Sequence, residues 1–176
     1  LDGDLDMAFG HWGTPRSPSQ PSSETEHLWR NDTDSEGIKF SAMTFSANIS
    51  PGILLIDNPK ITQTALDYTF TPTFADINND HYPDLLMVAD FYYSQIFINN
   101  RDGTFLNVTD VGVIKDGNGM GSAVGDFDGD GDIDWFVSSI DASGPRVPEF
   151  LSEIGNRLYR NDEGFFSDAS EYSQIS

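Results

Sequence analysis

Two kinds of segment recur along this chain, and their alternation constrains the fold more than any other feature. The first is an aspartate-rich loop that leads into an apolar strand. It reads ADINNDHYPDLLMVAD from Ala75 and GDFDGDGDIDWFVSS from Gly125, and the opening LDGDLDMAFG matches its second half. The second is a short strand with a polar turn, as in HLWRNDTDSEGIKF from His27, QIFINNRDGTFLNVT from Gln95 and RLYRNDEGFFSDAS from Arg157. Each segment of the second kind is typical of a β-hairpin.

The spacing of these segments predicts an all-β repeat protein. Asp6, Asp84 and Asp134 hold the same place in the first kind of segment, at intervals of 78 and 50 residues. A unit of about 50 residues with insertions fits a propeller blade of four short strands. We expect about three blades, with approximate units 1–68, 69–118 and 119–176 and with insertions near 14–26, 48–67 and 141–155. Closed propellers have at least four blades, so we expect either that the remaining blades lie in a longer chain or that copies of this chain form a homo-oligomer or filament.

The charge balance excludes several classes of partner. The 176 residues include 29 acidic and 9 basic side chains, for a net charge of −20. Such a chain repels nucleic-acid phosphates and anionic membrane surfaces, and it favours cations. It has no cysteine, which excludes disulfides and thiolate metal sites, and no apolar run approaches the length of a membrane span.

The stretch from Asp126 to Asp134 carries five carboxylates at alternate positions, which repel one another unless a cation is bound. Calcium takes six to eight oxygen ligands, and acidic side chains at positions 1, 3 and 5 of a tight loop can surround one side of it. An EF-hand also needs Glu at position 12, but Val137 is there. Position 9 is Asp134, so the sequence predicts a strand-loop-strand calcium site. The ligands would be the side chains of Asp126, Asp128, Asp130 and Asp134 and the backbone carbonyl of Asp132.

The same pattern predicts a second and a partial third site. In the second, the side chains of Asp76, Asn78, Asp80 and Asp84 and the carbonyl of Tyr82 would be the ligands. This site is expected to bind more weakly, because Asn78 carries no charge and His81 replaces the permissive glycine of position 6. In the partial site, Asp2, Asp4 and Asp6 align with positions 5, 7 and 9.

These motifs resemble the FG-GAP and VCBS repeats of integrin-α-like β-propellers. More narrowly, GNGMGSAVGDFDGDGDIDWFV followed by NRLYRNDEGFFSDAS is similar to cartilage acidic protein and related secreted bacterial proteins. The resemblance implies a calcium-stabilised propeller that is secreted or displayed at the cell surface. It implies adhesion or ligand binding, with a protein or glycan as partner. Some enzymes also carry such repeats as an accessory domain.

No residue pattern indicates catalysis. The three histidines are scattered, and Ser122 lies outside any nucleophile motif. Trp29, Phe97 and Tyr159 occupy equivalent places in the three hairpins, which favours a core role over a sugar-stacking platform. We therefore expect a non-catalytic binding, adhesion or assembly module. The alternatives are a carbohydrate-binding propeller, or an accessory domain of a secreted polysaccharide-active enzyme.

Overall fold

The computed structural model describes residues 4–15, 26–49, 66–90, 94–140 and 155–173. Most of each predicted insertion lies outside these residues, as does Asp2. The strands are β1 (Met7–Ala8), β2 (Trp12–Pro15), β3 (Leu28–Asn31), β4 (Phe40–Ala42), β5 (Leu66–Ala75), β6 (Asp84–Ala89), β7 (Gln95–Asn99), β8 (Phe105–Asn107), β9 (Gly119–Gly125), β10 (Asp134–Ser139), β11 (Arg157–Asp162) and β12 (Phe165–Asp168). One turn of helix, α1 (Ser170–Ser173), follows them.

These strands form three antiparallel sheets, which confirms the all-β prediction. The first sheet has the order β1-β3-β4, the second β2-β5-β6-β7-β8 and the third β12-β11-β10-β9. The four strands β9 to β12 pair in chain order, as do β5 to β8, and a four-stranded meander is the arrangement expected of a propeller blade. All three predicted hairpins are present, as β3–β4, β7–β8 and β11–β12.

The strand register confirms that the repeats are equivalent. In each sheet, the residue that follows the last aspartate of the loop pairs across the strands with the aromatic residue of the hairpin. The pairs are Met7 with Trp29, Leu85 with Phe97 and Trp135 with Tyr159. Phe97 and Tyr159 are buried, as expected for core residues, whereas Trp29 is half-buried.

Strand β6 lies between two apolar clusters, which explains its continuous run of apolar residues. Leu85 and Met87 belong to one cluster with Phe97, whereas Leu86 and Val88 belong to another that contains Trp135. Successive side chains of a strand point to opposite faces, so both faces of β6 are covered and all six residues are buried.

A buried polar network links the second and third sheets. The Asp116 carboxylate accepts hydrogen bonds from the hydroxyls of Tyr159, at 2.8 Å, and Ser94. The Tyr159 hydroxyl in turn accepts from the backbone N–H groups of Lys115 and Asp116. Burial raises the pKa of Asp116 to about 6, although the two hydroxyl donors oppose the shift. The network therefore contains a carboxyl group that titrates near neutral pH.

This titration predicts that the protein becomes more stable as the pH falls from 7 to 5. An aspartate with a folded pKa of about 6 and an unfolded value of 3.8 binds its proton more tightly in the folded state, so its contribution to stability decreases as the pH rises between these values. Denaturant unfolding of the wild type and Asp116→Asn in EDTA measures the effect. The difference between the two proteins should change with pH, and a constant difference would contradict the assignment.

Candidate metal centre

The loop between β9 and β10 brings three predicted ligands together. Asp126, Asp128 and Asp130 each offer a carboxylate oxygen, and these oxygens lie within 4.8 Å of one another. The loop is shaped by its own side chains, because the Asp126 carboxylate accepts hydrogen bonds from the N–H groups of Gly129 at 2.7 Å and Gly131 at 3.1 Å. The backbone N–H of Asp132 and the Arg160 side chain lower the pKa of Asp130, which keeps it ionised.

Asp134, the fourth predicted side-chain ligand, is buried and joins the loop to the hairpin. One oxygen accepts from the N–H of Phe127 at 2.9 Å, and the other accepts from the N–H of Asn161 at 2.8 Å. A carboxylate oxygen has two lone pairs, so these bonds leave acceptor capacity for a cation. The side chain therefore closes the loop whether or not an ion is bound.

The same hydrogen bond recurs in all three sheets. Asp84 accepts from the N–H of Asn99 at 2.8 Å, and Asp6 accepts from the N–H of Asn31 at 2.9 Å. Asp84 is buried, and this burial raises its pKa despite its two backbone donors. A ninth-position aspartate bonded to a hairpin asparagine is thus a structural element of the repeat.

The second predicted site has the same loop but a less favourable set of oxygens. The Asp76 carboxylate accepts from the N–H groups of Asp80 at 2.9 Å and His81 at 2.8 Å. Asp80 already accepts from the Asn78 amide at 3.2 Å and from Arg101 at 2.9 Å. Partial burial raises the pKa of Asp80, but the Tyr82 N–H and Arg101 outweigh it and the net shift is downward.

The backbone of the second loop also carries strain that the other loop avoids. His81 has a φ of 70° and Asn79 a φ of 56°, where the third sheet has glycines at the equivalent positions, Gly131 and Gly129. Residues with a side chain adopt this left-handed conformation at a cost of roughly 1–2 kcal/mol, although asparagine and histidine tolerate it better than most.

Of the partial site, Asp4 and Asp6 lie within the described residues. Both are exposed, and both line a cleft of about 340 Å³ between the first and second sheets. Arg30 and Arg101 line the same cleft, together with Tyr82.

The two complete loops are joined by contacts of Asn79, Asn161 and Glu163, which sequence reasoning did not identify. The Asn161 side-chain amide donates to the carbonyl of Ile77 at 2.7 Å, across the boundary between the sheets. The Asp132 carboxylate accepts from the Asn79 amide at 2.6 Å and from the N–H of Glu163 at 2.7 Å. An asparagine recurs two residues after the aromatic residue of each hairpin, and this repetition in the sequence could have identified Asn161.

The donor set of the Asp126 loop fits calcium. Calcium binds oxygen ligands at about 2.4 Å, so two ligands of one ion are no more than about 4.8 Å apart. The three carboxylates meet this limit. They are hard oxygen donors without nitrogen or sulfur, which favours calcium over transition metals.

Comparisons with known proteins identify the same part of the chain. The family model described as an FG-GAP-like repeat matches residues 76–137, which include both complete loops and the strands between them. No curated protein and no solved structure matches the chain. The chain is thus similar to the FG-GAP-like repeat family over 62 of its 176 residues, and its sheets have the fold expected of such repeats.

Proposed function

We propose that this protein is a calcium-stabilised, non-catalytic binding or assembly module that works outside the cell. The observation that carries the proposal is the loop in which Asp126, Asp128 and Asp130 converge. Asp134 and the carbonyl of Asp132 would complete the protein ligands, and in the second loop Asp76, Asn78, Asp80, Asp84 and the carbonyl of Tyr82 would do so. Bound calcium would neutralise the loop charge and hold loop and hairpin together.

Two considerations support this role. FG-GAP-like repeats are of the binding or adhesion type, and the match covers both complete loops. Extracellular calcium modules bind at about 0.1–1 mM, a concentration of calcium that is found outside cells. Within the part of the chain that the structure describes, no helix is long and apolar enough to cross a membrane. On the motif from Gly117, we also propose a closer similarity to cartilage acidic protein.

The third sheet exposes an apolar residue at a position that is buried in the second sheet. Ile77, at the second position of its loop, is buried against the third sheet, and its side chain is 0% exposed. Phe127 holds the same position in the next loop and is 52% exposed. Since equivalent residues occupy equivalent places in a repeat, we propose that a further sheet covers Phe127, either from a longer chain or from a second copy.

Light scattering on residues 1–176 tests this assembly. We expect these residues to associate or to be poorly stable in calcium, and Phe127→Ser should weaken any association because the substitution removes the apolar centre of the contact. Phe165→Ser is the matched control, since Phe165 is 81% exposed on β12. A well-folded monomer in calcium would contradict the assembly proposal.

A carbohydrate-binding function is the second candidate, favoured by one aromatic cluster. Trp12 is 57% exposed, and its ring lies 6.1 Å from that of Tyr68 and 6.3 Å from that of Phe70. The indole N–H donates to Asp90 at 2.9 Å, which orients the ring. Glycan-array binding that is lost in EDTA and in Trp12→Ala distinguishes this function from protein binding.

A further inference from the structure

The guanidinium group of Arg160 forms ion pairs with two of the predicted ligands in the loop between β9 and β10. The Nε atom of Arg160 is 2.6 Å from Oδ2 of Asp128, and its Nη2 atom is 3.0 Å from Oδ2 of Asp130. These are two of the three carboxylates that converge in the loop. Arg160 therefore neutralises the same charges that a calcium ion would.

The position of Arg160 is set by the hairpin and does not depend on the ion. Arg160 lies in β11 between Tyr159, whose ring is buried, and Asn161, whose N–H is bonded to Asp134. Because both neighbours are anchored, the side chain leaves the strand beside the loop. Only the long arginine side chain itself must move to release the carboxylates.

The second loop has the same arrangement from a different sequence position. The residue equivalent to Arg160 is Ile98, which carries no charge. Instead Arg101, in the turn between β7 and β8, places its Nε and Nη2 atoms 3.1 and 2.9 Å from Oδ2 of Asp80. An arginine side chain thus pairs with the carboxylates of both loops, from sequence positions that are not equivalent. This is notable in a chain with only 9 basic residues against 29 acidic ones.

We infer that Arg160 is a built-in competitor of calcium, which neutralises the Asp128 and Asp130 carboxylates in the calcium-free protein and weakens the affinity of the loop. This inference rests on the proposed calcium site. A cation that binds these carboxylates must displace the guanidinium or accept a positive charge about 5 Å away. Between the doubly charged calcium ion and one positive charge at about 5 Å, that repulsion alone weakens binding about 15-fold in bulk water, and lower effective permittivity near the protein surface increases the factor.

Arg160 should also stabilise the calcium-free protein. Without Arg160, two adjacent carboxylates keep their mutual repulsion and lose their partner. Arg160→Gln should therefore melt at a lower temperature than the wild type in EDTA at low salt, and salt should reduce the difference by screening. The same variant should gain more in melting temperature than the wild type when calcium is added.

Calorimetric calcium titration of the wild type, Arg160→Gln, Arg160→Lys and Arg157→Gln tests the inference. Arg160→Gln should bind calcium at the Asp126 loop at least about 15-fold more tightly, and Arg160→Lys should remain near the wild type because it keeps the charge. Arg157→Gln is the matched control, since Arg157 lies on the same strand but pairs with Asp168 at 3.3 Å.

The outcomes separate the inference from the proposed function. If the wild type binds calcium and Arg160→Gln binds with equal or lower affinity, the competitor role is wrong and the calcium site stands. If the wild type binds no calcium, the proposed function and the inference both fail. An equal increase in affinity in Arg157→Gln would show a general charge effect and overturn the specific role of Arg160.

Discussion

We expect millimolar calcium to raise the melting temperature of this protein and chelation to lower it. A ligand that binds only the folded state adds about 2.7 kcal/mol per site at 100 times its dissociation constant. Extracellular calcium modules bind at about 0.1–1 mM, so about 10 mM calcium approaches this limit for the better site. For a chain of this size the gain corresponds to an increase of about 5–10 °C, measured by scanning calorimetry.

The control for this experiment is magnesium at the same concentration. Magnesium prefers strict octahedral geometry at about 2.1 Å and keeps several waters, so it should stabilise the protein less than calcium does. Identical melting curves in calcium and in EDTA, with metal content verified in both samples, would show that calcium is not part of the fold.

Asp134→Ala should be more damaging than Asn78→Ala, both to calcium affinity and to stability. Asp134 is buried, and its two oxygens accept the N–H groups of Phe127 and Asn161. Leaving the buried Asn161 donor unsatisfied costs about 1–3 kcal/mol, the partly buried Phe127 donor adds less, and the better loop also loses a charged ligand. Asn78→Ala removes a neutral oxygen and the contact with Asp80 from the weaker loop, which we expect to cost about 1 kcal/mol or less.

Urea unfolding in EDTA and calcium titration separate the two parts of this effect. The instability of Asp134→Ala should persist without calcium, because the lost hydrogen bonds do not involve the ion. Asp134→Asn keeps one acceptor oxygen and should fall between the wild type and Asp134→Ala. If Asn78→Ala lowers calcium affinity more than Asp134→Ala does, the ranking of the two sites is wrong.

Local sequence patterns were sufficient for the strand type, the three hairpins and the tight acidic loops. Alternating Asp and Asn residues in a loop followed by a run such as LLMVA specify a tight turn and a buried strand, because both depend on residues adjacent in the chain. The equivalence of Asp6, Asp84 and Asp134 was also evident from the sequence. The structure explains it, because each of these aspartates accepts a hydrogen bond from the backbone N–H of a hairpin asparagine.

Contacts between distant segments were decided only by the tertiary structure. Arg160 meets Asp128 and Asp130, and Asn161 meets Ile77 across 84 residues, because antiparallel pairing and sheet packing bring these segments together. Trp29 has the same place in its repeat as Phe97 and Tyr159 but is only half-buried, since burial depends on what packs against each sheet. The sequence by itself thus determined the strands, hairpins and acidic loops. Long-range packing determined which charged and apolar side chains contact one another.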